Sequence, residues 1–130
     1  MEYLVGQSSS FSKTITETDV VNFAGICGDF NPVHVNSVVA EESIFKGRVA
    51  HGMLVSSFIS TVLGMYLPGP GTIYMGQELK FMKPVYVNDT ITATVKIVEI
   101  KENGKAILET KVLNQNGECV IAGSALVKLP

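Results

Sequence analysis

The stretch Gly52-Met53-Leu54-Val55-Ser56-Ser57-Phe58-Ile59-Ser60-Thr61-Val62-Leu63-Gly64-Met65-Tyr66-Leu67, stopped by Pro68-Gly69-Pro70-Gly71, decides the fold. It is long enough for several helical turns, carries no charge, and ends where proline and glycine break a helix. Large apolar residues recur almost all the way round it, which predicts a helix enclosed by protein. It is shorter than the ~20 apolar residues that a bilayer span needs, and Ser56, Ser57, Ser60, Thr61 and Gly64 interrupt it. The reading is therefore a core helix with no membrane role.

C-terminal to that helix the period changes from helical to two. Ile91, Ala93, Val95 and Ile97 alternate with Thr92, Thr94, Lys96 and Val98, as in a strand with one buried face. Asn103-Gly104 and Asn116-Gly117 are hairpin signals between this run, a second over Ala106–Leu113 and a third over Glu118–Lys128. Asn88-Asp89 marks a turn between two earlier strands. Such short connections predict an antiparallel sheet. One buried helix with an antiparallel sheet around it is an α+β architecture.

On the N-terminal side the order is strand, helix, loop. Residues 4–14 predict an opening strand. Thr16 and Asp19 have capping-box spacing at the start of a helix whose apolar face is Val20, Phe23, Ala24 and Cys27, with Gly28 at its C-terminus. Asp29-Phe30-Asn31-Pro32-Val33-His34 reads as a loop, because proline disfavours helix in the residue before it. A short helix is expected over Ser37–Phe45, and Gly47–His51 connects it to the central helix.

The chain has 130 residues, which suits one domain over 1–130. Its composition is 46% hydrophobic and 17% charged, with a formal net charge of −2 and no basic run, which argues against a nucleic-acid partner. Cys27 and Cys119 have no metal-ligand spacing, and no metal or redox cofactor is expected. Cys27 is read as core packing. With no basic and apolar leader at the N-terminus, the expectation is a cytoplasmic protein with reduced thiols.

The polar cluster that can carry chemistry is Gly28-Asp29-Phe30-Asn31-Pro32-Val33-His34. A carboxylate and an imidazole converging on one water can remove and deliver protons in an addition or elimination. The N-terminus of the central helix offers unpaired N–H groups and the positive end of a dipole. Gly52, with no side chain, lets a ligand approach there, so its N–H is the expected oxyanion donor. Each residue also has a plainer reading: Asp29 as a turn cap, Gly52 as a tight turn, His51 as a packing histidine rather than an acid or base.

Gly28, Asp29, Asn31, Pro32, Val33, His34 and Ala40 together resemble the signature of the MaoC-like (R)-specific enoyl-CoA hydratases, with no departure at the fixed positions. Ala50-His51-Gly52-Met53-Leu54 and the segment Tyr74–Val85 are similar to further family segments. The resemblance implies a hot-dog fold, in which the sheet wraps the long helix. It implies Asp29 and His34 as the catalytic pair in reversible syn addition of water to a trans-2-enoyl thioester, with coenzyme A as part of the substrate and not a cofactor. It implies a homodimer. Ser60 either bonds back to its own helical turn or, as the resemblance favours, faces the acyl cavity, with Leu63 lining it or simply filling the core. Asn31 bonds the thioester region or shapes the loop. Lys46, Arg48, Lys80 and Lys83 are candidates for the coenzyme A phosphates. An acyl carrier protein as carrier stays open, as do a hot-dog thioesterase and a non-catalytic acyl-thioester binding module. Hot-dog thioesterases usually place a carboxylate on or near the central helix, and this helix has none.

Overall fold

The computed structural model describes residues 2–130. Five strands form one antiparallel sheet: β1 (Ser8–Thr14), β2 (Ile73–Phe81), β3 (Thr90–Ile100), β4 (Lys105–Leu113) and β5 (Cys119–Lys128). Their spatial order is β1-β3-β4-β5-β2. The helices are α1 (Glu17–Cys27), α2 (Pro32–Val35), α3 (Ser37–Glu42) and α4 (Gly52–Met65). The helix α4 lies across the sheet, chiefly against β3 and also against β1, β4 and β2. This is the arrangement of helix and wrapping sheet expected above. Among the described residues no helix is long and apolar enough to cross a membrane.

The core forms where two periodicities meet. Val55, Ile59, Val62 and Leu63 turn one side of α4 toward the sheet. Ile91, Ala93, Val95 and Ile97 of β3 and Ala106, Leu108 and Val112 of β4 face them, all fully buried. Burying each of the larger aliphatic side chains contributes about 1.5–3 kcal/mol. A β-bulge between Ile97 and Glu99 then shifts the phase, and Val98 is exposed.

Several expectations need correction. The opening strand starts at Ser8, because Leu4–Gln7 form a turn closed by the Gln7 N–H to the Leu4 carbonyl. The segment Pro32–Val35 is a one-turn helix, not a loop: Pro32 sits at its first position, where no N–H is needed, and Asn31 caps it. The helix α3 stops at Glu42, since the Ser43 hydroxyl donates to the Ala40 carbonyl. The turn at Asn88-Asp89 joins two strands that are not neighbours, because β2 pairs with β5 and β1 with β3. The helix α4 is not enclosed all round. The sheet covers one side only, and Met53, Ser57, Ser60 and Met65 are exposed on the rest. Cys27 is exposed, not core: it lines an open cavity beside Asp29 and His51, while Val20 and Ala24 carry the buried face of α1; both cysteines are free thiols.

Candidate functional site

The capping box holds α1 in register. The Asp19 N–H donates to the Thr16 hydroxyl, and the Thr16 N–H donates back to the Asp19 carboxylate. Burial pushes the Asp19 carboxyl up, but bonds from Lys13 and Thr16 outweigh this and hold it below its ordinary value. Gly28 ends the helix in the left-handed region at φ 82°, a conformation open to glycine at little cost. The chain thereby turns out of α1 directly into Asp29.

Asp29, His34 and His51 come together at the N-terminus of α4. A carboxylate oxygen of Asp29 and one ring nitrogen of each histidine all lie within 4.8 Å of one another. The Asp29 carboxylate is exposed and accepts the Asn31 N–H at 3.1 Å. His34, 8% exposed, presents Nδ1 to the Val49 carbonyl at 2.7 Å. A carbonyl only accepts, so Nδ1 carries the hydrogen and the neutral ring has a bare Nε2. The Asp29 carboxylate and one nitrogen of this ring lie within 4.8 Å of each other, a separation that one bridging water can span with two hydrogen bonds.

Arg48 holds the segment from behind: its Nε donates to the His34 carbonyl at 2.7 Å and its guanidinium pairs with Glu17 of α1 at 2.5 Å. His51 is the N-cap residue of α4, yet its side chain makes no capping bond, and no acidic residue lies in the first turn. The first N–H groups of α4 are thus left for a ligand.

Two cavities share His34, Gly52 and Met53. One, of about 350 Å³, is walled by Phe23, Cys27, Asp29 and His51. The other, of about 560 Å³, is mostly apolar and is walled by Val33, Phe45, Val55, Phe81, Val85 and Ile121, with Asn31 at its edge. Phe81 has a specific relation to Gly52. A Cβ on Gly52 would lie 2.6 Å from the Phe81 ring, so the absent side chain is room taken by that ring. Sequence reasoning gave Phe81 no role. No spacing rule links it to residue 52, and only the packing of the end of β2 against α4 joins them.

The carboxylate and two imidazoles are residue types that hold zinc, and one ligand atom from each lies within 4.8 Å of the others. The two rings are stacked, with centroids 3.8 Å apart and planes 25° apart. The other residues read from the sequence lie elsewhere. Ser60 is exposed on the outer side of α4, and Leu63 is 1% exposed in the core, since helical spacing turns it to the sheet. Neither lines either cavity of a single chain. Of the four basic candidates, Arg48 pairs with Glu17 and Lys83 with Glu118, while Lys46 and Lys80 have no ion-pair partner among the described residues.

The MaoC like domain matches residues 3–118. The chain belongs to the MaoC-like domain family. An (R)-specific enoyl-CoA hydratase of Rhodospirillum rubrum is 48% identical to this MaoC-like chain over 125 residues, 96% of the chain and 87% of the relative. An (R)-specific enoyl-CoA hydratase of Aeromonas caviae is 41% identical over 127 residues, 97% of the chain and 95% of the relative. A solved structure of the (R)-hydratase from A. caviae involved in PHA biosynthesis superposes with a TM-score of 0.96 at 40% identity, covering 98% of both chains. The fold of this MaoC-like protein is the hot-dog fold of that hydratase.

Proposed function

We propose that this MaoC-like protein is an (R)-specific 2-enoyl-CoA hydratase, a hydro-lyase that adds water reversibly to a trans-2-enoyl thioester. The observation that carries this is the meeting of the Asp29 carboxylate and the His34 imidazole, whose Nδ1 is held by the Val49 carbonyl, beside the uncapped N-terminus of α4. Water bound between the two residues attacks C3. A C3–O bond and a C2–H bond form while the C2–C3 π bond breaks. The proton leaves the water for one of the pair and returns to C2 on the same face. Negative charge that develops on the thioester oxygen is held by the Gly52 N–H and the positive end of α4.

The thioester sits where the two cavities meet, and the acyl chain leaves through the larger, apolar one. Asn31 serves the site by capping α2 and bordering that cavity. Lys46 and Lys80 are the basic side chains left for the coenzyme A phosphates. The chain acts as a single domain and needs neither metal nor cofactor.

We assign a homodimer formed by pairing the β2 edges of two copies into one continuous sheet. The support is an edge strand with exposed Ile73, Tyr74 and Met75. Ser60, on the exposed side of α4, meets the acyl chain only once a second copy covers that side, and Leu63 supports that wall from the core.

The test is loss of enoyl-thioester absorbance from crotonyl-CoA, with Asp29→Asn in parallel and an (R)-specific dehydrogenase acting on the product. The expected result is turnover that falls by about 10²–10⁴-fold in the variant and a product that the dehydrogenase accepts. Release of free thiol would make the protein a thioesterase. Binding of crotonyl-CoA and of a longer enoyl-CoA without turnover would make it a binding module.

A further inference from the structure

His51 is the buried titratable group for which the reaction above has no use. It is 3% exposed, and its Nε2 lies 2.9 Å from the main-chain carbonyl oxygen of Asp29. That oxygen only accepts, so Nε2 carries the hydrogen. Nδ1 of the same neutral ring is therefore bare, and it is buried with no hydrogen-bond partner among the described residues. An unsatisfied buried nitrogen destabilises the fold, and a phenylalanine would fill a site of this kind without leaving one. A histidine at this position is therefore best accounted for by the one bond it does make. The ring is also clamped, stacked on His34 with centroids 3.8 Å apart and edge-on to Phe23 at 5.0 Å.

We infer that His51 is a positioning residue, acting through its Nε2–H bond to the Asp29 carbonyl to fix the backbone from which the Asp29 carboxylate reaches the water. The inference rests on the hydratase reading of Asp29. Asp29 follows directly on Gly28, which lies in the left-handed region, and its carboxylate is exposed. Among the described residues, the only other bond that orients the side chain is the one it accepts from the Asn31 N–H. A tether at the Asp29 carbonyl therefore sets where the carboxylate stands relative to His34. Proton transfer needs that placement to within a fraction of an ångström.

Two variants separate the bond from the packing. In His51→Gln the side-chain amide reaches the position of Nε2 and still donates. In His51→Phe the ring still packs between His34 and Phe23 but donates nothing. With both variants folded by circular dichroism, kcat on crotonyl-CoA is expected to fall on the order of ten- to hundredfold in His51→Phe, with KM little changed. It should stay within about threefold of the parent in His51→Gln. Equal kcat in all three proteins would reduce His51 to packing and overturn the inference. A loss in His51→Gln as deep as in Asp29→Asn would make His51 a proton carrier and overturn it equally.

A second measurement needs no turnover. Long-range proton–nitrogen correlation of the imidazoles should find His51 protonated on Nε2 and His34 on Nδ1. The opposite tautomer at His51 would remove the bond to Asp29 and the inference with it. A wild-type protein without hydratase activity but with this tautomer pattern would refute the hydratase reading alone.

Discussion

At the scale of single residues, the site is built from short-range rules and one long-range accident of packing. Asp29, Asn31 and His34 lie within six consecutive positions, so their grouping is legible in the sequence: the glycine before, the proline between and the helix after leave the chain few other paths. The same sequence does not reveal Phe81, whose ring fills the place of a Gly52 side chain. This pairing carries a prediction. Gly52→Ala should fold but push the Phe81 ring from the cavity wall and lower kcat/KM by about tenfold or more, and adding Phe81→Ala should recover part of the loss. A Gly52→Ala protein with parental kinetics would show that the ring yields freely. His34→Gln, which keeps a polar side chain but no imidazole base, should lose about 10²–10⁴-fold in kcat, measured on the same substrate. Cys27 was misread for a similar reason to Phe81. Helical spacing shows which face a residue shares, but not where that face opens onto a cavity, as it does at Cys27.

At the scale of elements, capping chemistry accounts for most boundaries. Thr16→Ala removes the hydroxyl that accepts the Asp19 N–H and should cost about 0.5–2 kcal/mol in urea denaturation. The partner carboxylate adds a pH dependence. Asp19 titrates below its ordinary 3.8 in the folded chain, so its ionised form is favoured by folding. Its contribution is fully present above pH 3.8 and is lost as the pH falls through the lower folded value. Asp19→Asn should flatten that acid limb while leaving the rest of the stability curve unchanged. The capping box was readable from spacing alone, whereas α2 was not. A single turn has no periodicity, and proline at its first position looks the same as proline in a loop. For α4, Leu63→Ala should lower stability by about 2–5 kcal/mol, as befits a fully packed side chain, and thermal unfolding measures this directly.

At the scale of the whole molecule, the sheet has two free edges, β1 and β2, and only one of them is strongly apolar. Ile73, Tyr74 and Met75 on β2 are exposed, while β1 shows mainly Ser8, Ser10, Ser12 and Thr14. Met75→Arg should therefore shift the protein from dimer to monomer in sedimentation velocity, since a charge on an edge strand opposes pairing; a protein whose mass is unaffected would place the interface elsewhere. The hairpins from β3 to β5 were legible because their turns carry Asn-Gly. The outer places of β1 and β2 were not, because pairing across the chain leaves no local mark. The strand order also governs how the molecule is made. Strands β3, β4 and β5 meet through short turns, but Ser8 of β1 must find Lys96 of β3, a partner far along the chain. Loop closure over such a distance is slow. Of the five strands β1 is made first yet is among the last to dock, and until residue 96 has been synthesised it remains an unpaired segment in search of an edge.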